Sequence, residues 1–161
     1  MRFEVSADIP APVEEVFDFP GDQANALKLN ERAADHVVGF DIVDTAPDGR
    51  RTVDVRMQAG KRAWIQTIEQ VVRERPSRLV TRGWTWTERR DEPLMVVMND
   101  RRLAEAASAT RLTITADYEL RKAPLTARIM ARLQRGATRL ELVNGLHLLI
   151  DHFASRGEAE R

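Results

Sequence analysis

The sequence predicts an α+β domain in which a curled, seven-stranded antiparallel sheet is covered by one long C-terminal helix. Runs that alternate apolar and polar residues recur up to about residue 120, separated by turn residues at hairpin spacing. The following stretch repeats its apolar positions every three to four residues over roughly thirty residues, as an amphipathic helix does. A chain of 161 residues suits one domain with one core.

Phe3, Val5 and Ala7 alternate with Glu4, Ser6 and Asp8, the signature of a half-buried first strand over residues 2–9. Pro10 and Pro12 stop it. Val13, Val16 and Phe17 then recur at helical spacing, with Glu14 and Glu15 in the first turn, where the helix dipole favours carboxylates. This short helix ends before Pro20-Gly21, and Asp22 can cap a second one carrying Ala24, Ala26 and Leu27.

Strands return at Val38-Phe40-Ile42 and Val53-Val55-Met57, joined by the turn residues Ala46-Pro47-Asp48-Gly49, and Ala59-Gly60-Lys61 makes the next reversal. Trp64 to Val72, Leu79 to Thr87, Leu94 to Leu103 and Arg111 to Leu120 complete the set. Their connections are Arg75-Pro76-Ser77, the charged reversal from Arg89 to Glu92, and the small-residue stretch Ala106-Ala107-Ser108-Ala109. Pro124 suits the first turn of the long helix, whose apolar row is Ile129, Leu133, Leu140, Val143, His147 and Ile150. Gly136 and Gly145 inside it call for close packing, a bend or a ligand approach. Residues 1–155 are expected to form the domain, and 156–161 a frayed polar tail.

Composition excludes several functions. With 25 basic and 25 acidic residues, no net field draws the chain to nucleic acid or an anionic membrane. The absence of cysteine removes disulfides, thiolate nucleophiles and cysteine-ligated metals, and fits a reducing cytoplasm. The N-terminal residues do not read as a secretory signal, and no window is apolar enough for a transmembrane segment. Neither a glycine-rich phosphate loop nor a G-x-S-x-G elbow occurs. His147 and His152 are five apart and do not converge on one helix face, so no metal site and no cofactor are expected.

The order strand, two short helices, six strands and long helix resembles the START-like (SRPBCC) superfamily, which includes polyketide cyclase/dehydrase-type proteins. Ile9-Pro10-Ala11-Pro12-Val13-Glu14-Glu15-Val16-Phe17 is similar to the family's opening, I-x-A-P-x-E-x-V-F. Ala109-Thr110-Arg111-Leu112-Thr113 resembles its G-T-x-L-T start of the last strand, with Ala109 in place of the usual glycine. Glu74-Arg75-Pro76-Ser77-Arg78-Leu79 looks like its turn between the fourth and fifth strands. Asn30 to Ala34 stand where many cyclase members carry a Trp-Pro pair. The resemblance implies a helix-grip fold that encloses a small apolar or aromatic ligand.

Within that frame, alternation puts Arg82, Trp84 and Trp86 on one face of their strand, a guanidinium beside two indoles, suited to an aromatic or acyl ligand if that face is concave. Otherwise the indoles fill core under the helix and Arg82 lies at the rim. Asn99 shares a face with Met95, Val97 and Arg101 and can orient a carbonyl, or can mark where the strand leaves the core. Trp64 shares a mixed face with Gln66, Ile68 and Gln70, for which solvent exposure is the simpler account of the glutamines. Tyr118 lies with Leu112, Ile114 and Ala116 and is expected to point inward.

His147 and Asp151 have i, i+4 spacing, enough to orient an imidazole as a base or to form an ordinary helix-end pair. Arg89-Arg90 and Arg101-Arg102 read as a solvated basic rim. The candidate ligand-binding set is therefore Trp64, Arg82, Trp84, Trp86, Asn99, Tyr118 and His147, with Arg82, Tyr118 and His147 as catalytic candidates. The expected protein is a cytoplasmic binder of a lipid- or polyketide-like metabolite. The alternatives are a cyclase or dehydratase without metal or nucleotide, and an interaction or lipid-chaperone module; a homodimer is compatible with each.

Overall fold

Alternation builds the sheet that the sequence predicts. The computed structural model describes residues 1–19, 37–86, 93–121 and 135–159. Its strands are β1 (Arg2–Ile9), β2 (Val37–Thr45), β3 (Arg51–Ala59), β4 (Arg62–Glu74), β5 (Arg78–Trp86), β6 (Met95–Ala106) and β7 (Ala109–Leu120). Helix α1 (Val13–Asp18) follows β1, and α2 (Arg135–Ala159) closes the chain. The strands form one sheet in the order β1-β7-β6-β5-β4-β3-β2. Every neighbouring pair is antiparallel. Consecutive strands pair as hairpins from β2 to β7, and β1 returns to the far edge beside β7, so β1 and β2 are the sheet's edges.

Hairpin β6–β7 is longer than the sequence suggests. Pairing runs up to Ala106↔Ala109, leaving Ala107 and Ser108 as a two-residue turn. Ala107 takes a positive φ of 49°, the left-handed conformation such turns require. The β4–β5 connection Glu74 to Arg78 is a tight turn in which the Ser77 amide donates to the Glu74 carbonyl at 2.9 Å and the Arg75–Pro76 peptide is cis.

Cross-strand register separates the two faces of the sheet. Rows such as Leu79–Arg101–Ile114–Val5 and Thr81–Asn99–Ala116–Phe3 share the face that packs on the helices. On that face Val5, Ile9, Leu79, Leu103, Leu112 and Ile114 join Val13, Val16, Phe17 and Phe19 and, from α2, Leu146, Leu149 and Phe153. The α2 residues recur at i, i+3 and i+7, so one stripe of the helix is buried. Each large aliphatic chain removed from water contributes about 1.5–3 kcal/mol, which makes this cluster the main source of stability at this end of the sheet.

Two parts of the chain that the resemblance singled out meet here. Thr110, at the start of β7, donates its buried hydroxyl to the Ala11 carbonyl at 2.7 Å, fastening the β1–α1 corner. At the other end of α1, Phe19 stacks against Phe153 and His152 with ring centroids 5.4 and 4.6 Å away.

Helix α2 continues to Ala159, so most of the expected polar tail is helical. Arg156 reaches Glu15 at 3.5 Å and lies over the Phe153 ring, which holds this last turn against α1. The expected second short helix, the charged reversal from Arg89 to Glu92 and the start of the long helix at Pro124 lie outside the described residues. Among the described residues no helix is long and apolar enough to cross a membrane.

Candidate functional site

The helix-facing surface changes character away from the core cluster. From β3 to β6 it is carried by Met57 opposite Trp64, Val55 opposite Gln66 and Thr85, and Ile68 opposite Gly83 and then Val97. Trp64, Gln66, Ile68 and Gln70 are all half-buried, and the register puts both glutamines on this helix-facing row. A bulge between Gln70 and Val72 ends this alternation, and beyond it Arg73 turns inward over the Phe17 ring at 5.4 Å.

Gly83 leaves the middle of the surface as bare backbone. A Cβ there would stand 3.6 Å from Gln66 Nε2 and 3.9 Å from Ile68 Cγ1. Tyr118 lies opposite Val97 on the same face, its ring edge-on to Phe3 at 5.8 Å.

Among the described residues, two polar atoms in this surface have no partner. Asn99 Oδ1 and Arg101 Nε are buried without a hydrogen bond. Burial pushes the Arg101 guanidinium below its ordinary pKa, and among the described residues no carboxylate offsets the effect. Direct neighbours offer nothing, because Arg101 stands between Leu79 and Ile114. The opposite face of the same strand shows the contrast. There Asp100 accepts from Arg78 Nε and Nη2 at 3.1 Å each, and from Arg102 Nη2 at 3.1 Å. An unmet buried donor costs about 1–3 kcal/mol, and more when it is charged.

The structure divides the sequence candidates between two faces. Trp64, Asn99 and Tyr118 share the helix-facing surface. Arg82, Trp84 and Trp86 are on the outer face, because Leu79, Thr81 and Gly83 of the same strand take the inner one. There Arg82 is exposed over Trp84 at 5.9 Å, with its Nε 3.5 Å from Met98 Sδ. Trp86 donates to Thr67 Oγ1 at 3.1 Å, and the Thr67 hydroxyl donates to Asp54 at 2.6 Å. His147 and Asp151 are both exposed on α2, away from the stripe of Leu146, Leu149 and Phe153.

Arg101 is the residue that sequence reasoning missed by grouping it with Arg102 as rim. The two alternate in direction, so Arg102 pairs with Asp100 outside while Arg101 is half-buried on the inner side, its Nε fully covered. The signal was present in the row Met95, Val97, Asn99, Arg101. Among the described residues no group of three His, Cys, Asp or Glu side chains is placed to hold a metal.

Comparison with known proteins agrees with this architecture. A family described as polyketide cyclase/dehydrase and lipid transport matches residues 1–153. No curated protein matches the sequence. A protein of known structure from Rhizobium leguminosarum is 12% identical with a TM-score of 0.73, over 97% of this chain and 95% of that one. A START superfamily protein from Mycobacterium smegmatis is 12% identical with a TM-score of 0.65, over 94% of this chain and 97% of that one. The di-domain aromatase/cyclase BexL is 18% identical with a TM-score of 0.68, over 95% of this chain and 50% of that one. At such identities these structures establish the fold, and the family match establishes the kinship. With its seven-stranded sheet gripped by a C-terminal helix, the chain belongs to the family described as polyketide cyclase/dehydrase and lipid transport.

Proposed function

We propose that this protein binds a small hydrophobic or aromatic metabolite, lipid- or polyketide-like, between the inner face of β3–β6 and α2. One observation carries the reading. Met57, Trp64, Ile68 and Met95 face inward yet stand outside the packed core cluster and stay partly exposed. Apolar surface left wet inside a fold is what an apolar ligand covers, at about 25 cal/mol per Å² removed from water. Membership in a family described by cyclase/dehydrase and lipid transport roles supports it.

Trp64 supplies the assay. Titrating the protein with fatty acids, quinones and aromatic polyketides is expected to quench tryptophan fluorescence saturably at roughly micromolar affinity. Trp64→Ala abolishes most of the change, and Trp84→Ala, on the outer face, retains it. Absence of saturable quenching across all three classes rejects the proposal.

A second reading, a cyclase or dehydratase working by carbonyl polarisation and proton transfer, is favoured by Asn99 and Tyr118 sharing this face. It requires turnover. A cyclised or dehydrated product, detected by mass spectrometry after incubation with a poly-β-ketone mimic, separates it from simple carriage.

A further inference from the structure

We infer that Arg101 and Asn99 form the polar end of this ligand site, and that the ligand is an amphipathic acid whose anionic oxygen meets Arg101. The inference rests on the binding reading above and adds the ligand's chemical class. Its first support is the isolation of Arg101. Several arginines in the described residues are matched to carboxylates: Arg75 to Asp18, Arg78 to Asp100, Arg50 to Asp48 and Arg56 to Asp41. Arg101 has no such partner among them, and its Nε–H is buried unmet.

Position supplies the second support. Arg101 and Asn99 are two residues apart on one strand face, about 7 Å along it, so their open donor and acceptor do not satisfy each other. The residues directly across from Arg101 are Leu79 and Ile114, and those across from Asn99 are Thr81 and Ala116. A partner has to arrive from the helix-facing space.

The rest of that row says what the partner carries. Val97 and Met95 continue it away from Arg101, with Tyr118 and Leu120 beside them across the β6–β7 pair. An apolar body lies along these residues while a carboxylate, phenolate or enolate oxygen accepts from the guanidinium. A charge-assisted bond of that kind is about twice as strong as a neutral one, which makes the anionic oxygen the discriminating group. A hydroxyl on the same ligand can donate to Asn99 Oδ1.

The test uses the full-length protein and two matched probes, 2-naphthoate and 2-naphthalenemethanol, followed by tryptophan quenching. The wild type is expected to bind the carboxylate at least about tenfold more tightly. Arg101→Met is expected to bring the two affinities within about twofold of each other by weakening naphthoate alone. Removal of an uncompensated buried charge is not expected to lower its melting temperature. Arg101→Lys, which keeps a charge, retains part of the preference and serves as the reading should the methionine variant fail to fold.

If wild type and variant bind both probes equally, the acid-recognising end is rejected and the binding proposal stands. If neither probe nor any compound of the wider screen binds, both proposals fall.

Discussion

Thr110 shows how one hydroxyl can hold a corner of the fold. It is buried, donates to Ala11 and links the start of β7 to the segment between β1 and α1. Thr110→Val keeps the shape and leaves the Ala11 carbonyl unmet, so a loss of about 1–3 kcal/mol is expected in urea unfolding. Asp100 acts on the outer face, where Arg78 and Arg102 stand directly opposite each other. Hydrogen bonding from Arg78 first, with Arg102 adding to it, holds the Asp100 carboxyl below its ordinary value of 3.8 against the opposing effect of burial. A carboxyl with a lowered folded pKa stabilises the fold above its unfolded value, and that stability is lost as pH falls through the folded one. Stability is therefore expected to decline on acidification below about pH 4, and Asp100→Asn to flatten that part of the profile in urea midpoints taken at pH 6 and pH 3.

Among the elements, the β6–β7 turn and helix α2 carry opposite kinds of backbone mismatch. Ala107 sits at positive φ, where an L side chain costs about 1 kcal/mol relative to its usual conformations. Gly145 sits inside α2, and a Cβ built on it meets nothing within 4 Å. Close packing, one account of this glycine, is thereby removed. Gly145→Ala is expected to raise stability by about 1 kcal/mol, and Ala107→Gly by less because glycine also loosens the unfolded chain. Calorimetric melting of the two variants checks both signs.

The edge strand β2 shows another local solution. Its ladder to β3 is interrupted between Val37 and Gly39 and again between Ile42 and Asp44, at the exposed Val38 and Val43. Bulges of this kind make an open edge a poorer template for pairing with another chain.

At the scale of the whole molecule, stability and binding are linked. The core cluster is concentrated on β1, α1, α2 and the adjoining inner positions of β5, β6 and β7, while the inner faces of β3 and β4 lie outside it. A ligand that covers this second region adds to the stability of the folded chain, by about 2.7 kcal/mol at a hundred times its dissociation constant. For a domain of this size that is a rise of roughly 5–10 °C in melting temperature. Thermal melting with saturating 2-naphthoate measures it, and an unchanged melting temperature would contradict occupation of the inner surface.

What the sequence determined by itself is the set of elements and the rows within them. Period-two alternation along Met95, Val97, Asn99 and Arg101 follows from the pleat, whereas the row expected along α2 through Leu140 and His147 is not the buried one: both are exposed, and Leu146, Leu149 and Phe153 take the core-facing stripe. Motif residues near Ile9 and Thr110 resembled a known family's before their contact was visible. The tertiary structure alone decided which row of each strand faces the helix, because a pleat has two equivalent sides until another element covers one. Two tryptophans beside Arg82 made the outer row of β5 look like the richer site. Yet Leu79 of the same strand enters the core cluster, and its parity carries Thr81 and Gly83 inward and turns Arg82, Trp84 and Trp86 out. The same parity turned Arg101 inward, and that its Nε finds no partner among the described residues depends on the strands and helix around it and so appears only once the chain is folded.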